Sequence, residues 1–163
     1  TAVLDHLRTS DPECIFVDVN LRTPWWEKPR ILSMIRQAHW VKLNIDELDL
    51  LYPADQPMPQ RLSALIGEYR LEGVILTHGG AGAEVMTETG EHVNVSPADD
   101  IEVVDTVGAG DVFNAAMVRA LGAGRTLEQA LQAAVALASS QCTRQGLTLV
   151  DDLTGAEFSG RPF

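Results

Sequence analysis

Short apolar runs rich in β-branched residues alternate with segments of helix length along most of this 163-residue chain. Three of these runs predict buried strands, at residues 14–19, 40–43 and 73–77. The intervening segments predict a loop and helix at 24–38 and helices at 46–51 and 59–69. Such alternation favours a mainly parallel sheet with helices on both faces. The sequence therefore predicts an α/β fold.

An antiparallel edge is predicted after the third strand. Residues 83–87 and 92–95 flank Thr89-Gly90, a dipeptide typical of a hairpin turn. One more strand at 101–104 runs into a glycine-rich segment, and a helix is predicted beyond it at 111–121. The two hairpin strands and the strand at 101–104 are predicted to extend the sheet on one side.

The last predicted helix opens with a capping box formed by Thr126 and Gln129. Its apolar positions recur at helical spacing, and many are alanine: Leu127, Ala130, Leu131, Ala134 and Leu137. Because alanine side chains let two backbones approach each other, we expect this helix to pack closely against a neighbour.

Charge and cysteine content exclude several classes of function. The formal net charge of -11 would repel nucleic acid, so no nucleic-acid partner is expected. No apolar run approaches the ~20 residues that a membrane span needs, and no signal peptide is visible, so we expect a cytoplasmic protein. Cys14 and Cys142 lie in apolar surroundings without metal-ligand spacing, which indicates reduced core thiols. The scattered histidines are assigned no chemistry.

The strongest local signal is the segment Asp105-Thr106-Val107-Gly108-Ala109-Gly110-Asp111, between a predicted strand and a predicted helix. Glycines let the backbone turn sharply and approach a ligand, and the N–H groups that open a helix bind anions. Gly108, Ala109 and Gly110 thus form a candidate anion hole, with Asp111 at its rim as a base for an alcohol. The alternative is a plain turn in which Asp111 only caps the helix.

The twelve residues DTVGAGDVFNAA, at positions 105–116, resemble the second sequence signature of the PfkB family of carbohydrate kinases. That resemblance implies a ribokinase-like fold and transfer of a phosphoryl group from ATP to a sugar hydroxyl, with Asp111 as the catalytic base. Within the family, the chain most resembles the fructokinase and 2-keto-3-deoxygluconate kinase relatives. Thr106, inside the signature, is assigned to nucleotide binding.

Two earlier motifs extend the resemblance towards the N-terminus. The segment KLNIDE, which begins at Lys42, is similar to the family's N-x-x-E element, in which Asn44 and Glu47 would organise Mg2+, water and the nucleotide phosphates. Thr77-His78-Gly79-Gly80 is similar to the T-x-G turn, which would place Thr77, Gly79 and Gly80 at the phosphates of ATP. Taken alone, the first motif fits an exposed helix start and the second a simple turn.

The segment DVNLR at 18–22 resembles the D-x-N-x-R strand end of the same relatives, which directs Arg22 towards the transferring phosphate. An arginine fork suits phosphoryl oxygens, although Arg22 on a solvated loop is the alternative. Of the adjacent Trp25 and Trp26, one is a candidate for a ligand pocket, and burial under the next helix is the other option.

The resemblance also implies a monovalent cation such as K+ beside the anion hole. Asp105 would offer carboxylate oxygen, and Val107 together with the 142–148 loop would offer carbonyl oxygens. Leu147 departs from the alanine that the family often has in that loop. On the preceding helix, Val135 and Ser139 are candidates for one wall of an adenine slot, with ordinary helix packing as the alternative.

The sequence thus predicts an enzyme that phosphorylates a small sugar or sugar acid with ATP and Mg2+. A non-catalytic nucleotide-binding relative, and a kinase of the same fold for a nucleoside or vitamin alcohol, stay open. The resemblance covers only the family's C-terminal half, and the chain starts without Met, so we expect 1–163 to be one partial domain lacking the N-terminal part and lid. The sequence does not decide which sugar is used, whether a homodimer forms through that lid, or whether this chain is active alone. For the 163-residue chain by itself, we expect weak Mg-ATP binding and no sugar phosphorylation.

Overall fold

The computed structural model describes residues 14–53, 55–97, 103–143 and 145–146 of the chain. The first half alternates strands and helices: β1 (Phe16–Asp18), α1 (Lys28–Ile35), β2 (Trp40–Asn44), α2 (Ile45–Leu51), α3 (Met58–Tyr69) and β3 (Gly73–Thr77). A short 3-10 turn (Gly79–Ala81) then leads into β4 (Ala83–Thr87), β5 (His92–Val95), α4 (Ala109–Gly122) and α5 (Leu127–Cys142). The predicted α/β class is confirmed.

The strands form one sheet in the order β1-β2-β3-β4-β5. β1 runs parallel to β2, with Asp18 opposite Lys42, and β2 runs parallel to β3, with Asn44 opposite Thr77. Gly90, with φ of 83°, makes the tight turn between β4 and β5 that the sequence predicts, which reverses the chain direction. The D-x-N-x-R, N-x-x-E and T-x-G segments therefore lie at the carboxyl ends of the parallel strands, where ligands bind in open α/β sheets.

Most element boundaries agree with the predicted ones, and the main differences lie around the glycine-rich segment. Of the strand predicted at 101–104, the first two residues lie outside the described part of the chain, and the other two are not in a strand. Instead, the Val104 N–H donates to the Cys142 carbonyl at 2.8 Å. Helix α4 begins at Ala109, two residues before the predicted start, so Asp111 lies within its first turn.

The chain divides into two compact units, residues 1–77 with 85–92 and residues 78–84 with 93–163. The core of the first unit lies around β2 and β3, and its fully buried side chains include Val41, Leu48, Leu62, Val74 and Leu76. In the second unit, α4 packs on α5 through small buried residues, among them Ala116, Ala120, Ala130 and Ala134. The predicted close packing of the last helix is therefore confirmed, while the expectation of one partial domain stays a prediction.

Both cysteines are free thiols, as predicted, but only one is partly enclosed. Cys142 is half-buried and Cys14 is exposed, so the prediction that both are core residues is wrong for Cys14. β1 starts at Phe16, later than predicted, which leaves Cys14 outside the sheet.

Within the described ranges, no helix is long and apolar enough to cross a bilayer.

Candidate active site

The glycine-rich segment opens helix α4 through a residue that only glycine adopts easily. Gly108 is the N-cap and has φ of 80°, in the left-handed region that a Cβ disfavours. The cap makes no side-chain hydrogen bond, and Asp111 lies three residues further on, exposed, in the first helical turn. Asp111 is therefore not the N-cap of α4. A carboxylate at this position faces solvent and interacts favourably with the helix dipole.

One N–H group of the predicted anion hole already has a partner. The Ala109 N–H donates to the Thr106 carbonyl at 3.2 Å, while the Val112 N–H makes the first helical bond, to Gly108, at 2.9 Å. A phosphoryl oxygen would thus compete with Thr106 for the Ala109 N–H. Gly110 has no positive φ, so backbone geometry does not require glycine there, and its predicted contact with a phosphate stays a prediction.

Asp105 ties the start of this segment to the loop that follows α5. Its Oδ1 accepts from the Val107 N–H at 3.0 Å, and its Oδ2 accepts from the Gly146 N–H at 3.0 Å. The N–H of Val107, and next that of Gly146, hold the pKa of the Asp105 carboxyl below its usual value. The two loops predicted to hold a monovalent cation are therefore joined, and both oxygens of the predicted carboxylate ligand have partners.

Gln141 completes this junction, and the sequence analysis missed it. Its Nε2 donates to the Val107 carbonyl at 3.2 Å and to the Gly146 carbonyl at 2.8 Å, and the residue is 1% exposed. The signal that could have found it is a long polar residue on the apolar stripe of the last helix, at helical spacing from Ala134.

In the other unit, Asn44 and Glu47 form the capping box of α2. The Glu47 N–H donates to Asn44 Oδ1 at 2.9 Å, and the Asn44 N–H donates to Glu47 Oε2 at 2.9 Å. Glu47 Oε1 accepts a third bond, from the Leu21 N–H at 2.7 Å, and Glu47 is 7% exposed. Asn44 and Glu47 therefore begin a helix, as the alternative interpretation predicted. Glu47 is buried rather than exposed, however, and it also accepts a hydrogen bond from the segment after β1.

Lys42 and Asp18 form an ion pair across the parallel strands β1 and β2. Lys42 Nζ lies 3.1 Å from both carboxylate oxygens of Asp18, and Lys42 is 8% exposed. Arg22 is exposed on the following loop, where Asn20 has a left-handed φ of 38°. A phosphate role for Lys42 and Arg22 stays a prediction, which the exposure of Arg22 permits.

The T-x-G turn has open space above its two glycines. A Cβ built on Gly79 or Gly80 would touch nothing within 4 Å, so neighbouring atoms do not require glycine at Gly80. Gly79 needs it for its φ of 58°. His78 Nε2 lies 2.9 Å from Glu84 Oε1, and Glu84 is 5% exposed. That pair fixes the turn, a role that the sequence analysis did not assign to any histidine.

The remaining candidates are placed as follows. Thr77 Oγ1 makes a long bond of 3.5 Å to the Leu43 carbonyl. Val135 is buried on α5 and Ser139 is half-buried, which leaves both the adenine slot and plain packing open. Trp26 packs against the core of its unit, whereas Trp25 is 86% exposed. The two tryptophans thus point to different surroundings, as the sequence analysis required.

The donor groups of the described residues are compatible with Mg2+, and two of the carbonyls near the predicted K+ position are engaged by Gln141. Among the described residues, no group of three or more His, Cys, Asp or Glu side chains could hold a metal. Mg2+ does not need one, because it keeps several waters and binds one or two carboxylates plus phosphates. Both Glu47 oxygens keep a lone pair for such waters. Of the groups predicted for K+, the Val107 carbonyl and the Gly146 carbonyl each accept from Gln141, and residues 144, 147 and 148 of the predicted loop lie outside the described residues.

Residues 2–152 match the model of the pfkB family carbohydrate kinase. The chain is 34% identical over 134 residues to the 2-dehydro-3-deoxygalactonokinase of Haloferax volcanii, covering 79% of this chain and 41% of that protein. An E. coli protein described as a ribokinase II, solved with ATP and Mg2+, has a TM-score of 0.77 at 25% identity, covering 89% of this chain and 48% of that chain.

A double-mutant fructokinase of Vibrio cholerae, solved with fructose, ADP and potassium, has a TM-score of 0.76. Its identity of 23%, with 89% of this chain and 50% of that chain covered, shows a likeness of fold alone. The chain therefore spans about half the length, or less, of these relatives. The predicted ribokinase-like fold is confirmed.

Proposed function

Because the chain belongs to the pfkB family of carbohydrate kinases, we propose that it carries the nucleotide-binding and catalytic part of an enzyme that transfers the γ-phosphoryl group of ATP to a hydroxyl of a small sugar or sugar acid. The observation that carries the proposal is Asp111. It is exposed in the first turn of a helix that begins at a left-handed glycine, inside the family's signature segment. The helix dipole alone would also favour a carboxylate there, so it is the signature segment around Asp111 that supports a catalytic role.

In the second unit, the proposed roles follow from the opening of α4. Asp111 accepts the hydroxyl proton as the alcohol oxygen attacks phosphorus, which is general-base catalysis. The N–H groups of Gly108, Ala109 and Gly110 stabilise the oxygens of the transferring group, for which Ala109 exchanges the Thr106 carbonyl for a phosphoryl oxygen. Catalysis in such a site consists mainly of positioning and charge stabilisation.

In the first unit, the proposal assigns Asn44 and Glu47 to Mg2+, through water, at the carboxyl end of β2. Mg2+ when bound would neutralise charge on the nucleotide phosphates. Arg22, which is exposed, would pair with phosphoryl oxygens. Lys42 acts less directly, since its ammonium group is paired with Asp18.

Nucleotide contacts are proposed for three further groups of residues. Gly79 and Gly80 leave open space for phosphates, and Thr77 precedes them. Thr106 and, on α5, Val135 and Ser139 complete the set. The relatives solved with ATP and Mg2+, or with ADP and potassium, support a nucleotide together with a metal ion as the ligands of this chain.

A sugar or a keto-deoxy sugar acid is the proposed acceptor. The D-x-N-x-R segment and the 2-dehydro-3-deoxygalactonokinase relative support that class. The direct test is ATP consumption by the protein, with its natural flanking sequence, in the presence of fructose, ribose, 2-keto-3-deoxygluconate and, for comparison, a nucleoside. We expect acceptor-dependent ADP release with one of the sugars. Nucleotide binding without turnover on any acceptor would favour the non-catalytic alternative.

The two glycines of the loop are expected to respond differently to alanine. Gly108→Ala places a Cβ on a left-handed residue, which costs about 1–2 kcal/mol of stability. Gly110→Ala lies inside a helical turn, where alanine is favoured over glycine by roughly 0.5–1 kcal/mol. Urea unfolding should therefore show destabilisation for the first variant and none for the second.

The same pair separates backbone geometry from ligand approach. If Gly110 leaves room for a phosphoryl oxygen, Gly110→Ala lowers ATP turnover although the protein is no less stable, and Gly110→Val abolishes it with the fold intact by circular dichroism. A fully active Gly110→Val enzyme would mean that the phosphate binds elsewhere. Gly67, inside α3 with nothing within 4 Å of a built Cβ, gives the matched control as Gly67→Ala.

A further inference from the structure

The amide of Gln141 lies where two backbone carbonyls converge. Nε2 is 3.2 Å from the Val107 oxygen and 2.8 Å from the Gly146 oxygen. A glutamine amide nitrogen carries two hydrogens, so these two bonds use its full donor capacity. The residue is 1% exposed, which removes water as a competitor for those carbonyls.

The orientation of this amide follows from its neighbours. If the oxygen and nitrogen were exchanged, Oε1 would face two carbonyl oxygens and no hydrogen would lie between them. In the orientation present, Oε1 is buried and has no hydrogen-bond partner among the residues that the structure describes. Leaving a buried acceptor unpaired costs free energy. The two carbonyls therefore hold the nitrogen towards them strongly enough to offset that cost.

The carboxylate of Asp105 accepts hydrogen bonds from both of these segments. Its two oxygens each accept a backbone N–H at 3.0 Å, one from Val107 and one from Gly146. The Val104 and Asp105 N–H groups also donate to the Cys142 carbonyl, at 2.8 and 3.1 Å. Protein hydrogen bonds thus join the segment before α4 both to the last residue of α5, Cys142, and to Gly146 in the loop after it.

A K+ ion in a protein site is held by convergent carbonyl oxygens that replace its hydration shell. The resemblance places such an ion at Asp105, Val107 and the 142–148 loop, but here the carbonyls face an amide nitrogen that bears two partly positive hydrogens. We propose that the Gln141 amide takes the place of the monovalent cation, so that the catalytic loop is held in place without K+. Gln141 is thus a positioning residue, and this inference rests on the proposed function only in calling the Asp105–Asp111 loop catalytic.

Three forms of the protein, with its natural flanking sequence, test the proposal. Gln141→Ala removes the donors and leaves space for an ion, whereas Gln141→Met removes the donors but keeps a side chain of similar length. Thermal unfolding is followed by circular dichroism in potassium chloride and in N-methylglucamine chloride of equal ionic strength. This measurement needs neither ATP nor a sugar, so its outcome is independent of whether the protein is a kinase.

The unchanged protein should melt at the same temperature in both salts. In N-methylglucamine, both variants should melt lower, by roughly 5 °C for the loss of two buried hydrogen bonds. Potassium should restore much of that loss in Gln141→Ala, because the freed carbonyls and Asp105 can then hold the ion. It should restore none in Gln141→Met, where the side chain fills the space.

Two results overturn the proposal. A melting temperature of the unchanged protein that rises in potassium would mean that Gln141 turns its oxygen to an ion as a ligand. A Gln141→Ala protein that folds but ignores potassium would mean that the two carbonyls are no latent cation site. If Gln141→Ala does not fold in either salt, the unchanged protein decides alone, because its response to potassium supports or contradicts the proposal directly.

Discussion

Replacing Asp111 by asparagine is expected to lower turnover by ~10²-fold or more while the fold and nucleotide binding persist. Asparagine has nearly the same shape but cannot accept the hydroxyl proton. Because Asp111 is exposed and is not the N-cap of α4, its removal should cost little stability. Steady-state kinetics with the preferred acceptor, beside calorimetric titration with Mg-ATP, measure the two effects separately.

Glu128 offers the matched control for this substitution. It is an exposed acidic residue in the first turn of α5, as Asp111 is in the first turn of α4. Glu128→Gln should therefore remove the same favourable interaction with a helix dipole and leave turnover unchanged. Near-normal turnover of Asp111→Asn would refute the assignment of Asp111 as the base. If Asp111→Asn and Glu128→Gln lowered turnover equally, the loss would come from the helix dipole rather than from proton transfer.

Glu47→Ala is expected to give the largest loss of stability among the site variants, about 2–5 kcal/mol in urea unfolding. The change leaves the Asn44 and Leu21 N–H groups without their acceptor, at a position where Glu47 is 7% exposed. Hydrogen bonds to a charged group contribute about 1.5–3 kcal/mol each, and the two lost here are part-buried. Against a total stability of about 5–15 kcal/mol, such a loss is severe.

Two companion variants separate the structural part of Glu47 from its proposed part in Mg2+ binding. Asp46→Ala, one residue earlier and exposed in the same helical turn, should change stability by no more than about 0.5 kcal/mol. Glu47→Gln can still complete a capping box, but it loses the negative charge. Its ATP turnover should therefore need more Mg2+ for half-maximal rate, and an unchanged Mg2+ requirement would speak against the assignment.

Local patterns in the sequence were sufficient for most of the secondary structure and for the family to which the chain belongs. The strand Gly73–Thr77 and the hairpin strands at 83–87 and 92–95 were predicted at their observed bounds. Their signals, β-branched runs and turn dipeptides, act between residues close in sequence. The start of α4 was misplaced by two residues, because a glycine N-cap without a side-chain bond leaves no cap signal to read.

The sequence by itself determined most of the alternation of strands and helices, the hairpin turn at Gly90 and the capping box that opens α5. Only the tertiary structure decided which distant groups meet. Glu47 accepts the N–H of a residue 26 positions away, Gln141 bonds a carbonyl 34 positions away, and Asp105 accepts the N–H of Gly146, 41 positions away. Helix and strand periods and caps depend on neighbours within a few residues, so the sequence displays them. A polar contact across such separations exists only once packed strands and helices hold both groups at hydrogen-bond distance, and no local pattern encodes that distance.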